Sequence, residues 1–300
     1  MSSSAKNEKA ETILKKYSQS PSIISVVEMH SGGDPMRIVF DGFPEIKGDT
    51  ILQKLHYAKS HFAIDFQLVS PTEPETLINI QAPCGLVKTH VEYKNGKTGA
   101  TRFQSVPAFV FATDVEVDIA GHGKVKVDIA YGGCYFAFVP AHSFRLDLQK
   151  SNHNDMIKVY KEIRDLLTKQ VSLEHPESND EEVLKISGVI FTDGNDEFCN
   201  EPTVHTCAYG KSQICRAPCG SGTIAHTALQ YYKGQISVGQ VRTFMSGVTG
   251  SKFMSTVVRE TKYGKYDAVI VELSGNGYYT GMANYMVENE DKLKDGFNII

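Results

Sequence analysis

The alternation of hydrophobic and polar positions changes period along this 300-residue chain. After a polar, lysine-rich stretch over residues 1–22, the β-branched run Ile23 to Met29 and the segment "MRIVFDGFP" flank a Ser-Gly-Gly-Asp-Pro turn and predict a hairpin. "DTILQKLHYAKSHFAIDFQLV" opens on an Asp/Thr cap and continues in good helix formers, which predicts a helix. Beyond "SPTEPE", a period of two dominates "TLINIQA", "GLVKTHVEY", "TRFQSV", "AFVFATDVEVDIA", "GKVKVDIAY" and "YFAFVPA", with Asn-Gly, Gly-His-Gly and Gly-Gly turns between them. Near Ala141 the period lengthens. "NDMIKVYKEIRDLLTKQVSLEH" predicts an amphipathic helix with apolar positions at Ile157, Val159, Ile163, Leu166 and Leu167. Two strands, "ISGVIFTDG" and "PTVHTCAYG", precede a second helix in "SGTIAHTALQYYKG", closed by Gly234. "SKFMSTVVRE", "YDAVIVELSG" and "GYYTGMANYMV" then return to strand. Many strands and few helices predict an α+β protein of two sheet-rich lobes. The expected division is a lead-in over 1–22, an N-terminal lobe over 23–145, a C-terminal lobe over 146–282, and a closing strand and tail over 283–300 returning to the first lobe.

Composition narrows the function classes. A net charge of −4, with interspersed signs and no basic stripe, argues against nucleic acid and for a small-molecule or protein partner. The first residues lack the apolar core of a signal peptide, and no apolar run reaches a membrane span. The six cysteines (84, 134, 199, 207, 215 and 219) do not follow the spacing of a secreted disulfide framework, so reduced thiols in the cytoplasm are expected. Cys215 and Cys219 form C-x3-C with His226 nearby, but no second ligand pair follows at zinc spacing, so no metal is expected.

The tetrapeptide Ala-Pro-Cys-Gly occurs twice, ending at Gly85 and at Gly220. After Cys219, the residues Gly220, Ser221 and Gly222 open a helix. Bare backbone there admits a ligand, and the first-turn N–H groups suit a carboxylate and stabilise an adjacent thiolate. After Cys84 comes an alternating strand with an Asn-Gly hairpin signal, so this thiol belongs to a strand start or turn with no free helical donors. Only Cys219 has the setting of a reactive thiol. Of the remaining candidates, His30 and His122 fall in turns, His226 inside the second helix as a packed residue, and Asp193 and Gly194 after a strand where they could border a cleft. Tyr278 and Tyr279 read as core or cleft wall.

Five segments, "EMHSGGDPMRIV", "INIQAPCGLV", "SVPAFVFATDVEVDIAGHGKVKVDIAYGGCYFAFV", "RAPCGSGT" and "SGNGYYTGMANYMVENEDKLKDGF", are similar to the proline racemase family. Within it they lean toward the trans-3-hydroxy-L-proline dehydratase branch. The resemblance implies a two-lobed, diaminopimelate epimerase-like fold, each lobe a sheet curled around a central helix. It implies cofactor-independent chemistry at the α-carbon of proline or a hydroxyproline, with no cofactor and an imino acid as partner. Members are commonly dimeric, so a homodimer is the expected assembly. Carried over, Cys219 matches the second-lobe acid/base thiol, and Gly220, Ser221 and Gly222 match the backbone that holds the substrate carboxylate. Cys215 stands where the family usually has an aspartate near the substrate amine. A cysteine at 219 matches racemases and epimerases, because dehydratase members carry threonine there. The family's first thiol lies in a Cys-Gly-His segment with no counterpart here: the chain passes from "ILQKLHYAKS" to "HFAIDFQLV" where the family has several dozen further residues, and the first lobe is expected to be truncated. Racemase or epimerase, dehydratase, and a non-catalytic shortened variant therefore all stay open.

Overall fold

The computed structural model describes residues 23–42, 70–82, 84–286 and 292. The predicted helix in "DTILQKLHYAKSHFAIDFQLV" and the lead-in over 1–22 lie outside the described residues. The chain divides into two compact units. One comprises residues 1–30, 35–57 and 278–300, and the other residues 31–34 and 58–277.

The described part of the first unit is a three-stranded sheet. Strands β1 (Ile23–Ser31) and β2 (Asp34–Asp41) form the predicted hairpin, and the tail strand Tyr278–Met286 pairs antiparallel with β1, Ile23 opposite Met286.

The second unit carries twelve strands: β3 (Glu75–Ala82), β4 (Gly85–Lys94), β5 (Lys97–Gln104), β6 (Ala108–Ile119), β7 (Gly123–Tyr131), β8 (Tyr135–Pro140), β9 (Ile186–Thr192), β10 (Thr203–Tyr209), β11 (Gln213–Ile214), β12 (Val241–Ser246), β13 (Lys252–Tyr263) and β14 (Tyr266–Gly275). Among its described residues the α-helices are α1 (His153–Gln170) and α2 (Gly220–Tyr232). Strand order runs β13-β12-β10-β9-β8-β7-β6-β14, and β14 pairs again with β13, so eight strands close into a ring. β3, β4 and β5 extend the sheet from β14. The ring is continuous across residue 145, where the change of period had suggested a lobe boundary: β8 and β9 pair in parallel on either side of it.

The two helices explain why the central strands read as continuous apolar runs. α1 lays Met156, Val159, Tyr160, Ile163 and Leu167 against one face of the sheet, in a core shared with Val125, Val127 and Ile129 of β7. The other face closes around α2, where Ala130, Phe136, Phe138 and Ile190 meet Ala225 and Leu229. Strands covered on both faces need hydrophobic residues on both, and β8 is buried from Tyr135 through Val139. α2 is buried from Gly222 through Gln230, and a helix inside a ring has no room for a bulky polar face. Its sequence, "GSGTIAHTALQYY", supplies Gly, Thr and Ala instead.

The two-residue β11 and the longer β12 escaped the sequence reading. β12 lies between β10 and β13, and its buried positions are Arg242, Phe244 and Ser246. An arginine and a serine on the inner face erase the apolar alternation that marks a strand. Arg242 is fully buried and donates from Nη1 to the carbonyls of Cys199 (2.8 Å) and Glu201 (2.5 Å), and from Nη2 to Asn195 O (2.6 Å) and Thr203 Oγ1 (2.9 Å). It thereby fixes the loop between β9 and β10, which carries Asp196.

Candidate active site

Three stretches of backbone bring the candidate residues together. β10 ends in Cys207 to Tyr209, and β11 folds back on it with Ile214 opposite Ala208. The N–H of Cys215 then donates to Cys207 O at 2.9 Å, which sets these two cysteines side by side. Residues 216–218 form the turn into α2. The Asp34 carboxylate accepts from Arg216 N (2.7 Å) and Ala217 N (3.0 Å), and Ser246 Oγ donates to Arg216 O at 2.5 Å. Cys219 follows as the N-cap residue of α2 with φ 64°, a conformation that costs a non-glycine residue about 1–3 kcal/mol and survives only where its surroundings impose it.

These ties make the sulfur atoms of Cys207, Cys215 and Cys219 converge to within 4.8 Å of one another. Cys207 and Cys215 are buried, while Cys219 is partly exposed. The Cys219 thiol is held well below the usual cysteine range, first by hydrogen bonds from Cys207 and Cys215 and then by the Gly222 N–H, with burial working against them. Cys207 moves the other way, well above its ordinary value, because it donates to its neighbours and is buried. Cys215 is also raised: its bond with Cys207 lowers it, but its bond to Cys219 and burial prevail. One of three thiols is thus singled out as the thiolate. A Cβ at Gly222 would come within 2.9 Å of Cys219 Sγ, so glycine keeps open the space beside the sulfur. The N–H groups of Gly220 and Ser221 open the helix without an intrahelical acceptor and suit an anionic ligand.

Behind this turn runs a buried polar chain. Asp196 Oδ1 contacts His226 Nε2 at 2.9 Å, His226 Nδ1 contacts His205 Nδ1 at 3.1 Å, and His205 Nε2 contacts Pro218 O at 2.5 Å. A carbonyl and a carboxylate only accept, so His205 donates from Nε2 to Pro218 O, His226 donates from Nε2 to Asp196 Oδ1, and one further proton lies between the two Nδ1 atoms. Burial and the neighbouring His226 charge push His205 down to about 4. Burial alone would raise Asp196, yet the charge and hydrogen bond of His226, with Gln230 Nε2 donating at 2.9 Å, hold it well below the usual carboxylate range. Thr223 Oγ1 also donates to Pro218 O (2.9 Å), so the carbonyl preceding Cys219 is pinned from two sides.

Cys215, Cys219, Gly220, Ser221 and Gly222 are therefore neighbours in the structure. Cys207, His205 and Asp196 escaped the sequence reading. A strand ending at Tyr209, a Gly-Lys-Ser turn and a returning "QIC" would have pointed to Cys207, because a tight hairpin places it beside Cys215. The other candidates sit elsewhere. His30 and Tyr278 stack within the first unit's sheet at 5.4 Å between ring centroids, and His122 packs on Phe144 at 5.1 Å. Asp193 accepts from Asn195 N and Val204 N and shapes the β9–β10 loop. Cys84 occupies the turn between β3 and β4, and burial, with Cys134 close by, pushes its thiol up to about 11.

Comparison with known proteins covers almost the whole chain. The family model described as proline racemase matches residues 58–298. A trans-L-3-hydroxyproline dehydratase of Saccoglossus kowalevskii is 44% identical over 325 positions, covering 90% of this chain and 99% of the relative. A proline racemase of Acetoanaerobium sticklandii is 27% identical over 333 positions, covering 92% and 98%. Both alignments are longer than the 300 residues available here, so stretches of each relative have no counterpart in this chain. Among solved structures, a hydroxyproline epimerase from Agrobacterium vitis with bound trans-4-hydroxy-L-proline superposes with a TM-score of 0.82 at 19% identity, covering 93% of this chain and 95% of that one. The fold expected from the sequence is thereby borne out. Among the described residues, no helix is long and apolar enough to cross a membrane.

Proposed function

The chain belongs to the proline racemase family, and from that premise we propose that it performs cofactor-independent α-proton chemistry on proline or a hydroxyproline, with Cys219 as the acid/base. The observation that carries this reading is the depressed thiol of Cys219 at the N-terminus of α2, with the sulfurs of Cys207 and Cys215 converging on it. An α-proton is weakly acidic, so its removal needs a positioned base and donors that receive the charge developing toward the carboxylate. Cys219 supplies the base. The amides of Gly220 and Ser221 supply donors within the same turn, and their helix end favours the anion. Cys215, protonated beside the thiolate, offers an uncharged hydrogen-bonding partner where a charged one would compete with Cys219. The Asp196–His226–His205 chain holds Pro218 and thereby the direction of the thiol.

One base on one face suffices to exchange the α-proton, and it also suffices to eliminate a 3-hydroxyl on that face: sulfur takes the α-proton, the Cα–H electron pair forms the Cα–Cβ double bond as the C3–O bond breaks, and the proton passes from sulfur to the leaving hydroxyl, which departs as water. Inversion needs a second donor on the opposite face. Dehydration is therefore a specific second reading, favoured by the dehydratase relative at 44% identity. The alignments longer than the chain favour a third, a shortened variant that no longer turns over. A homodimer in the cytoplasm is the proposed setting.

The discriminating experiment incubates the protein in heavy water with L- and D-proline and with the 3- and 4-hydroxyprolines. Deuterium entering the α-position, lost in Cys219→Ser, is the expected result. Loss of water from a 3-hydroxyproline selects the dehydratase, and inversion without loss of water selects the racemase or epimerase. No exchange with any substrate, together with no ligand-dependent rise in melting temperature, selects the shortened variant.

A further inference from the structure

Three thiols converging in one apolar pocket exceed what proton transfer requires. From this convergence we propose that Cys207, Cys215 and Cys219 form a binding site for a thiophilic metal ion of the zinc(II) class, held by three sulfurs, whose occupancy competes with use of Cys219 as an acid/base.

The geometry is close to that of a bound ion. All three sulfurs lie within 4.8 Å of one another. With zinc–sulfur bonds of about 2.3 Å, tetrahedral coordination separates sulfurs by about 3.8 Å, so closing the site takes movements of at most about 1 Å. The backbone is already arranged for it. Cys215 N bonds to Cys207 O, Asp34 fixes the amides of Arg216 and Ala217, and His205 and Thr223 fix the Pro218 carbonyl ahead of Cys219. Sites held by such supporting bonds lose little freedom on binding.

The chemistry of the donors selects the ion. Thiolates suit zinc(II) and copper(I), whereas calcium and magnesium take oxygen ligands, and no carboxylate or carbonyl oxygen belongs to this donor set. Phe136, Phe138, Ile190, Ala225 and Leu229 surround the sulfurs and limit water at the ion. As the sulfurs take the ion, Cys207 and Cys215 pass their thiol protons to water, while Cys219 binds as the thiolate it already is. No electron changes hands, and the complex of three thiolates with one divalent ion carries a single negative charge. That charge falls at the N-terminus of α2, where unpaired amides favour an anion. Cys219 is the partly exposed member of the three.

This proposal deepens the reading of Cys219 as an acid/base, and its test stands apart from activity. The full chain, reduced with a phosphine and stripped with a chelator, is titrated with zinc(II) against a chromophoric chelator in the absence of imino acid. One zinc per chain is expected, with three sulfurs in its shell by X-ray absorption. Cys207→Ala and Cys215→Ala should each weaken binding about a hundredfold or more. Cys199→Ala, at an exposed site outside the cluster, should leave it unchanged. Circular dichroism of each variant separates lost ligation from lost folding, and a zinc-dependent rise in the wild-type melting temperature, reversed by chelator, gives a second readout. Binding that survives Cys215→Ala, or a shell of nitrogen and oxygen, overturns the proposal. Proton exchange that fails while zinc still binds to sulfur counts against the acid/base reading alone.

Discussion

Two turns of this molecule share the tetrapeptide Ala-Pro-Cys-Gly and have opposite chemistry. The turn at Cys84 leads into a strand, whose amides are spent on the neighbouring β3 in a register from Ala82↔Gly85 to Glu75↔Glu92. Burial then acts on the thiol with little to oppose it, and the pKa rises to about 11. The turn at Cys219 leads into a helix, whose first amides have no partners within it, and two further thiols donate to the sulfur. The same four residues thus give a proton-holding thiol in one place and a thiolate in the other. Identity of a short motif says little; what the following backbone does with its N–H groups says much.

The sharpest break of this comparison is mutational. Cys219→Ser should lower α-proton exchange by about 10²- to 10⁴-fold, the contribution of a positioned acid/base, while Cys84→Ser leaves the rate unchanged. Next in size is the pH at which each thiol reacts. In the absence of substrate, mass-spectrometric mapping of iodoacetamide labelling should find Cys219 modified at neutral pH and Cys84 only as the pH approaches about 11. Equal labelling at neutral pH would remove the basis of the contrast.

The anchors of the Cys219 turn also titrate. His205 is neutral when folded, with its pKa pushed down to about 4, whereas an unfolded histidine takes a proton near about 6.5. Between these values the unfolded chain binds more protons, so acidification costs stability, on the order of 3 kcal/mol across the window. Asp196 acts in the same direction at lower pH. Its folded carboxyl stays ionised below the unfolded value of about 3.9, so its contribution is complete above that pH and is lost as the pH falls further. Melting temperatures measured from pH 7 to pH 4 should fall steadily, and His205→Gln should start lower and fall less.

Two adjacent glycines sit between the two turns. A Cβ on Gly132 would lie 2.4 Å from Ser221 O and 2.5 Å from Ala225 N, both backbone atoms of α2, while its neighbour Gly133 faces Cys84 Sγ. Gly132→Ala should therefore push on the first turns of α2 and destabilise the fold by about 1–3 kcal/mol in denaturant titrations. It should slow exchange through Cys219 without changing the labelling of Cys84. The smallest effect belongs to Cys84→Ser, whose stability should stay within about 1 kcal/mol of wild type.

Much of this was legible in the sequence. The strands from β3 to β10, both described helices and the last strands follow from period and turn chemistry, because each is decided by local backbone preference and by which face meets a core. Cys219 was legible too, since the glycines after it announce a helix start. β12 was not, because Arg242 and Ser246 point into the protein and find partners far along the chain, Arg242 in the loop between β9 and β10 and Ser246 at Arg216 O before α2. Cys207 was not, because a hairpin turn had to bring it beside Cys215. The chain by itself determined its elements, its family and one reactive thiol, all of them local or cumulative properties of residue order. Only the tertiary structure decided that three sulfurs share a pocket and that Asp196, His226 and His205 form a line ending at Pro218. Those depend on contacts between residues distant along the chain, made where low dielectric gives each hydrogen bond its strength.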